Sequence, residues 1–270
     1  MKFSGSAVII TGAGSGIGAA LARSAAGMGA KVCVSDLDFD KATAVATEIS
    51  GIAVACDVRD ESAVQNLIQQ AEQAQGPTDI FVSNAGLGQG DPTHAASAPD
   101  AVWMLNWQVH VMAHVYAARA LLPTMTARRS GHLVNVASAA GLLNQIGDAA
   151  YSATKHAAVS FAESLAISHG EDGINVSVVC PQYVATPLIG LSDADAATRA
   201  SLLTAHDVAQ AIVEGVESDR FLILSHPVVK DYCLHRAQDH DRWITGMQML
   251  RAKAQDAFGE VSAESLYKLV

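Results

Sequence analysis

The sequence predicts an α/β protein with a doubly wound parallel sheet of about seven strands and helices on both faces. Half of the 270 residues are apolar, so one large core can be buried. Short β-rich runs alternate with longer helical stretches, which implies right-handed crossovers between parallel strands. The runs are almost continuously hydrophobic rather than alternating, as in strands that are covered on both faces.

The predicted strands are short apolar runs that recur along the chain. They are Ala7 to Thr11, Lys31 to Ser35, Ile52 to Cys56, Asp79 to Ser83, His132 to Val136, Asn175 to Val179 and Phe221 to Leu224. In doubly wound sheets, ligands bind beyond the carboxyl ends of the strands. We therefore expect functional residues directly after these runs.

The chain is expected to form a single domain over residues 1–270. Pro and Gly are dispersed, and neither a low-complexity tract nor an internal repeat marks a linker. A helical extension is expected at about residues 228–258, either at a subunit contact or over the pocket. Within it, the Met and Trp residues from Trp243 to Leu250 are expected to form the buried face of a helix.

The charge composition argues against polyanionic partners. The chain has 27 acidic and 17 basic residues, for a net charge of −10 at pH 7. It lacks the clusters of Lys and Arg that a polyanion requires. We therefore expect neither nucleic acid nor a membrane as a partner.

The cysteines and the N-terminal region favour a cytoplasmic protein without a metal. Cys33, Cys56 and Cys180 lie in or at the end of predicted strands, and no pair, including Cys233, has Cys-x-x-Cys spacing. This suits reduced thiols and disfavours a zinc site. Four glycines within residues 12–18 indicate a loop rather than a secretory signal or membrane anchor.

A glycine-rich turn follows the first predicted strand and opens a helix. The residues Thr11-Gly-Ala-Gly-Ser-Gly-Ile-Gly18 would let backbone N–H groups meet a pyrophosphate without interference from Cβ atoms. Asp36 ends the second strand, where a carboxylate accepts hydrogen bonds from an adenosine ribose and repels the additional phosphate of NADP. NAD is therefore the predicted cofactor. Helix capping is the alternative role for Asp36, although Asp38 or Asp40 would cap the next helix equally well.

Three further motifs follow in order: Asn84-Ala85-Gly86, then Ser138, then Tyr151-Ser-Ala-Thr-Lys155. With the glycine-rich turn, they resemble the short-chain dehydrogenase/reductase family from about Ala7 to Thr186. The resemblance implies a Rossmann-type oxidoreductase whose catalytic set is Ser138, Tyr151, Lys155 and Asn106. It also implies a cofactor site formed by Gly12, Ser15, Gly16, Ile17, Gly18, Asp36, Leu37, Asp57, Val58, Asn84, Ala85, Gly86, Tyr151, Lys155, Pro181, Val184 and Thr186.

The resemblance further implies that Asp57 bonds the adenine edge and that Thr186 bonds the nicotinamide carboxamide. Pro181-Gln182 stands where relatives commonly have Pro-Gly. The backbone beside the nicotinamide is therefore expected to be less free than in those relatives.

The chemistry of Tyr151 and Lys155 also follows from their spacing. Four residues apart in a helix, they face the same way. A nearby ammonium favours the phenolate, so we expect the pKa of Tyr151 to be lowered, as a general base for an alcohol proton requires. Ser138 would hold the substrate oxygen. Asn106 is expected either to support a water-linked proton path behind Lys155, as the resemblance suggests, or to be a satisfied polar core residue.

His110 and His114 have the spacing of two metal ligands on one helix face. No Glu lies between them and no third ligand is evident. We therefore predict no metal and expect these histidines at a surface or an interface.

The segments expected to line the substrate end are mainly apolar and lack Lys and Arg. The predicted substrate-binding residues are Ser138, Gln89, Leu142, Leu143, Gln145, Ile146, Tyr151 and Leu188. They favour a neutral, mainly hydrophobic secondary alcohol or its ketone. The resemblance also implies a homo-oligomer, a dimer or a tetramer.

Three alternatives are less well supported. An NADPH-dependent ketoreductase of lipid or polyketide type would need a basic residue where Asp36 stands. An epimerase or dehydratase of the extended branch would need a glycine where Ser15 stands and usually has a longer chain. A non-enzymatic NAD sensor would not need Ser138, Tyr151 and Lys155, yet all three are present.

Overall fold

The computed structural model describes residues 1–199, 201–259 and 261–269. Its strands are β1 (Ala7–Thr11), β2 (Lys31–Asp36), β3 (Ile52–Ala55), β4 (Ile80–Ser83), β5 (Gly131–Val136), β6 (Ile174–Val179), β7 (Val184–Ala185), β8 (Leu203–Thr204) and β9 (Leu222–Ile223). Seven of them form one parallel sheet in the order β3-β2-β1-β4-β5-β6-β9. The predicted fold class is confirmed.

The strands differ from the prediction mainly at their ends. The last strand of the sheet covers only Leu222–Ile223, and β3 ends at Ala55, so that Cys56 lies beyond it. The separate parallel pair of β7 and β8 is not predicted from the sequence, because strands of two residues carry no periodic pattern.

Helices cover both faces of the sheet. They are α1 (Gly16–Gly27), α2 (Phe39–Glu48), α3 (Glu61–Gln75), α4 (Asp100–Trp107), α5 (Ala113–Ala127), α6 (Ala149–His169), α7 (Asp193–Ala196), α8 (Ala205–Glu217), α9 (Val228–Gln238), α10 (His240–Phe258) and α11 (Ala263–Leu266). One apolar core lies under α1, α2 and α8, and a second lies under α3, α5 and α6.

The two cores explain why the strands are continuously apolar. In β1, Val8 and Ile10 point into the first core, whereas Ile9 points into the second. Successive side chains of a strand face opposite sides, so both sets of positions must be apolar when both faces are covered.

A widened turn joins α4 to α5. Residues Gln108–Met112 form a π-helical segment, so the chain is helical from Asp100 to Ala127 without a break. Such segments insert one extra residue into a helical turn and are frequent at functional sites.

The segment predicted to form a C-terminal extension contains α9 and α10. Its burial agrees only in part, because Trp243 and Leu250 are half-buried while Ile244 and Met249 are 44% and 64% exposed. The helix therefore presents one side to the protein and leaves several apolar residues on the other. None of the described helices is long and apolar enough to cross a membrane.

Candidate active site

The glycine-rich turn is fastened to the end of β4 by Thr11 and Asn84. Thr11 Oγ1 accepts hydrogen bonds from the backbone N–H groups of Asn84 and Ala85, each at 3.1 Å. The Asn84 amide donates to the carbonyl oxygens of Thr11 and Gly12 at 2.9 and 3.0 Å. These bonds hold the turn at the point where the strand order reverses, which is where doubly wound sheets bind ligands. Sequence reasoning gave Thr11 no role of its own, although it opens the motif.

The turn forms a cradle that only glycine permits. Gly12 has φ +62°, and a Cβ there would lie 2.7 Å from Ala85 Cα; a Cβ at Gly18 would lie 2.5 Å from Asn84 Nδ2. Ser15 is the N-cap of α1, and its exposed side chain makes no capping hydrogen bond to the helix. Backbone N–H groups at a helix start suit a phosphate group, so these residues fit the pyrophosphate of a dinucleotide.

Asp36 lies at the end of β2 facing this turn. Its carboxylate accepts hydrogen bonds from the backbone N–H of Gly14 at 2.9 Å and of Asp38 at 3.0 Å. The capping role for α2 falls to Asp38, which accepts from the N–H of Lys41 at 3.2 Å. Asp36 is thus left at the wall of the cavity, where a ribose would lie.

Two basic side chains near this end are already paired with carboxylates. Lys41 Nζ lies 3.0 Å from Asp38 Oδ2, and the Arg59 guanidinium lies 2.5 Å from Asp57 Oδ2. The Arg59 hydrogen bond holds the pKa of Asp57 below its ordinary value. The Asp57 carboxylate, which is predicted to bond the adenine edge, is therefore already paired with an arginine.

Ser138, Tyr151 and Lys155 come together at the other end of the same cavity. Tyr151 and Lys155 lie on α6, with Lys155 Nζ 5.5 Å from the centroid of the phenol ring. The Ser138 hydroxyl, just past β5, donates to the carbonyl oxygen of Pro181 at 3.4 Å and lies near enough to the Tyr151 phenol to lower its pKa. Lys155 Nζ donates to the carbonyl oxygen of Val136 at 3.1 Å. A phenol, a hydroxyl and an ammonium thus share one site, as a proton transfer to or from an alcohol oxygen requires.

The start of α6 is fixed by Asp148, which sequence reasoning missed. Its carboxylate caps the helix by accepting from the backbone N–H of Tyr151 at 3.0 Å. Burial raises the pKa of Asp148 above its ordinary value, while this hydrogen bond opposes the rise. An Asp three residues before Tyr151 is the usual signal of a helix start and would have identified it.

Burial dominates the ionisation of the catalytic pair. It raises the pKa of Tyr151 to about 12, and the nearby Ser138 hydroxyl acts in the opposite direction. It lowers the pKa of Lys155 to about 8. The expectation that Lys155 lowers the tyrosine pKa is therefore wrong for the protein by itself, because burial disfavours the phenolate and is the largest contribution to the shift.

The hydrogen-bond partners of Asn106 lie in its own helix and in the loop before it. Asn106 is fully buried in α4, and its amide nitrogen donates to the carbonyl oxygens of Gln89 and Val102, each at 2.9 Å. These contacts fit the alternative, a polar core residue, although its Oδ1 atom has no partner among the described residues. Asn106 anchors the loop that carries Gln89 rather than contacting Tyr151.

His110, one helical turn farther along, occupies the place beside the pair. Its ring meets the ring of Tyr151 edge-on, with centroids 5.3 Å apart. Nδ1 lies 3.0 Å from Thr154 Oγ1, and Nε2 lies 3.1 Å from the carbonyl oxygen of Leu87. Burial first, and then the charge of Lys155, keep the pKa of His110 well below 6.5. A neutral imidazole therefore links α6 to the loop after Gly86.

His114 is also buried, which makes the expectation of a surface or interface pair wrong. Its side chain is 2% exposed, and neither ring nitrogen has a hydrogen-bond partner in the described ranges. Burial and the charge of Lys155 lower its pKa to about 3. Asn106, His110 and His114 follow one another at intervals of four residues, so they share the side of the helix that faces the interior.

One cavity of about 970 Å³ joins the two ends of the site. Of the predicted cofactor residues, all but Gly18 line it. Gly18 instead lies beneath the cradle, against Asn84 and Gly12.

The predicted substrate residues divide into two groups. Ser138, Gln145, Ile146, Tyr151 and Leu188 line the cavity. The other three have different contacts. The carbonyl oxygens of Gln89 and Leu142 accept hydrogen bonds from the Asn106 amide and the Arg236 guanidinium, and Leu143 lines a neighbouring cavity.

The similarity of the chain to known proteins agrees with this geometry. The family model of the short chain dehydrogenases matches residues 6–196. The chain is 36% identical over 229 residues to 1-deoxy-11-beta-hydroxypentalenate dehydrogenase from Streptomyces exfoliatus, covering 82% of each chain. It is 31% identical over 256 residues to Oxidoreductase UcpA from Escherichia coli K12, covering 92% of this chain and 93% of that one.

A solved structure of similar shape is a short chain dehydrogenase/reductase from Burkholderia phymatum in complex with NAD. It superposes with a TM-score of 0.81 at 30% identity, over 89% of this chain and 96% of that one. The fold, the cradle, the catalytic side chains and these relatives lead to one conclusion. The chain is an oxidoreductase that belongs to the short-chain dehydrogenase/reductase family.

Proposed function

We propose that this oxidoreductase uses NAD to interconvert a neutral, mainly hydrophobic secondary alcohol and its ketone. The observation that carries the proposal is the continuous cavity with Asp36 and the glycine cradle at one end and Tyr151, Ser138 and Lys155 at the other. Such a cavity suits a bound dinucleotide whose reactive ring lies beside an acid/base group.

The side chains have distinct tasks in alcohol oxidation. Oxidised nicotinamide, when bound, supplies the hydride acceptor and a positive charge. Tyr151 Oη takes the proton of the substrate hydroxyl, and Ser138 Oγ donates a hydrogen bond to the same oxygen as it becomes a carbonyl oxygen. Lys155 favours the phenolate by its charge. His110 is a positioning residue that braces the ring of Tyr151 from its edge.

The choice of NAD rests on Asp36. A carboxylate facing the cradle would repel a ribose phosphate, and the Burkholderia phymatum relative was solved with NAD. The alternative, NADP use by a ketoreductase, draws on the proximity of Lys41 and Arg59, yet both cations are paired with carboxylates. We therefore place NAD first.

The choice of a neutral substrate rests on the walls around Tyr151. The described lining residues include only two basic side chains, Lys155 at the catalytic end and Arg59 at the adenosine end. Leu87, Leu188 and Ile189 supply apolar surface. A carboxylate or phosphate on the substrate would have no cation of its own to pair with there.

We also propose a cytoplasmic homo-oligomer. Cys33, Cys56 and Cys180 are buried free thiols, which suits a reducing compartment. Met104 on α4 and Ile167 on α6 are 55% and 84% exposed, and a subunit contact would cover these apolar side chains. Sedimentation velocity of the purified protein tests the assembly, and a monomer at micromolar concentration would contradict it.

The activity is tested by screening secondary alcohols with NAD and with NADP while following the absorbance of the reduced cofactor. We expect turnover with NAD, and a loss of about 10²- to 10⁴-fold in Tyr151→Phe. Equilibrium binding of NADH to that variant is the control and should persist. Turnover that survives the substitution, or a preference for NADP, would refute the respective part of the proposal.

A further inference from the structure

A second cavity of about 590 Å³ lies between the C-terminal helices and the segment that follows Ser138. Residues of α9 and α10 form one wall, and residues 143, 144 and 146 form the opposite wall. Its volume falls in the range that accommodates a small organic molecule, about 300–1,000 Å³. The C-terminal helices lie beyond residue 196, where the family match ends.

This cavity adjoins the catalytic one. Ile146, Gln182 and Tyr183 line both cavities. Burial raises the pKa of the Tyr183 phenol and the nearby Gln145 side chain opposes the rise, and the Tyr183 carbonyl oxygen lies 3.1 Å from His226 Nε2. Three residues thus form a thin partition between the Tyr151 end of the active site and the second cavity.

The lining of the second cavity is mainly apolar, with Asn144, Gln182, His235 and Gln238 as its uncharged polar members. Tyr232, Trp243, Met247 and Leu250 contribute aromatic, thioether and aliphatic surface. Such side chains adapt to irregular apolar ligands. Arg242 and Asp239 are the charged members, of opposite sign and three residues apart. A neutral apolar group is therefore the ligand that this lining favours.

The walls are fixed to the core of the enzyme. The Arg236 guanidinium donates to the carbonyl oxygen of Leu142 at 2.5 Å. Val229 is fully buried and packs with Ala139 and Leu143. The cavity is thus a formed site between fastened elements, and its α9 wall contacts the segment that begins at Ser138.

We propose that the second cavity binds the apolar tail of the substrate, so that the enzyme acts on large neutral alcohols with an extended alkyl or polycyclic portion. This inference rests on the proposed alcohol oxidation. The reacting carbinol would lie beside Tyr151, and the tail would pass the Ile146–Gln182–Tyr183 partition. Each additional methylene buried there should raise kcat/KM about fourfold until the tail fills the cavity.

Gly246 provides a sharp test. It lines the cavity from α10, and a Cβ built there meets nothing within 4 Å. Gly246→Phe should therefore fill the space without disturbing its neighbours. The matched controls are Gly246→Ala, which changes the helix residue without filling the cavity, and Gln248→Phe, which places the same ring on the exposed side of α10.

The first measurement is kcat/KM for linear secondary alcohols from butanol to dodecanol. We expect the gain with chain length to disappear in Gly246→Phe and to persist in both controls, while the butanol rate is unchanged in all three. A wild-type enzyme indifferent to chain length, or a gain retained in Gly246→Phe, would overturn the proposal.

The second measurement is independent of turnover. Trp243 lines the cavity and is one of three tryptophans, so Trp103→Phe with Trp107→Phe leaves it as the sole indole reporter. Dodecanol should change its fluorescence, and Gly246→Phe in that background should abolish the response. If no alcohol is oxidised yet the response is seen, the alcohol dehydrogenase function fails while the apolar site stands. An absent response would overturn the site itself.

Discussion

Replacing Lys155 by methionine should abolish activity and stabilise the protein at neutral pH. Lys155 is 4% exposed, and burial lowers its pKa from 10.5 to about 8. At pH 7 the side chain is charged in both the folded and the unfolded state, so this shift in pKa lowers the free energy of unfolding by about 3 kcal/mol. The variant also loses the hydrogen bond to Val136, which contributes about 1 kcal/mol. We therefore expect the free energy of unfolding to rise by about 2 kcal/mol.

The pH dependence of this gain separates ionisation from packing. The pKa of Lys155 is lower in the folded state, so its buried ammonium destabilises wild type at pH 7. This destabilisation disappears as the pH rises from about 8 to 10.5. The advantage of the variant should therefore shrink through this window and vanish near pH 10.

Urea unfolding of wild type and Lys155→Met at pH 7 and at about pH 10 measures both quantities. Lys230→Met removes an exposed lysine and should change stability by less than about 0.5 kcal/mol at either pH. An advantage of equal size at the two pH values, or a loss at both, would refute the reasoning.

Three other substitutions test separate parts of the site. Asp36→Ala should raise the ratio of kcat/KM with NADP to that with NAD by about tenfold or more, since it removes the charge that repels a ribose phosphate; an unchanged ratio in steady-state assays contradicts the NAD assignment. Folding lowers the pKa of His114 from 6.5 to about 3, so wild type loses stability as the pH drops below 6.5. The difference in free energy of unfolding between His114→Leu and wild type, measured in urea, should therefore be about 2 kcal/mol more favourable to the variant at about pH 5 than at pH 7. A difference that does not change with pH would contradict this prediction. His110→Phe keeps the ring against Tyr151 but removes both hydrogen bonds, so kcat should fall about tenfold. The pH–rate profile of wild type should show no limb near pH 6.5, because the pKa of His110 lies well below that value; a limb there that disappears in His110→Phe would contradict a neutral histidine.

The sheet and the cradle could be predicted because their causes are local in sequence. Continuous apolar runs such as Ala7–Thr11 follow from burial on both faces, and the glycines follow from close backbone approach. Tyr151 and Lys155 share a site because helical spacing alone places them on one face.

Asp148 was missed although its signal is local, whereas the wrong expectations for the helix beside α6 depend on contacts between distant segments. From the sequence, Asn106 is predicted to be catalytic and His110 to lie at a surface or an interface, and only the packing of the helix against α6 shows that His110 meets Tyr151. The direction of the Tyr151 pKa depends on burial, which motif spacing does not report. The second cavity likewise requires α9 and α10 to fold back over residues 143–146, and no periodic pattern encodes that.

The widened turn at Gln108–Met112 has a consequence for how this enzyme tolerates changes in chain length. Before and within the turn, the helix packs against α6, whereas α5 beyond it packs against α3 and the sheet. The extra residue in the turn rotates α5 relative to α4, so that α4 packs against α6 and α5 packs against α3. Removing a single residue there would swing one half by about 100° and turn polar rings toward apolar partners, whereas the loop between Gly86 and Asp100 can gain or lose a residue at its exposed positions.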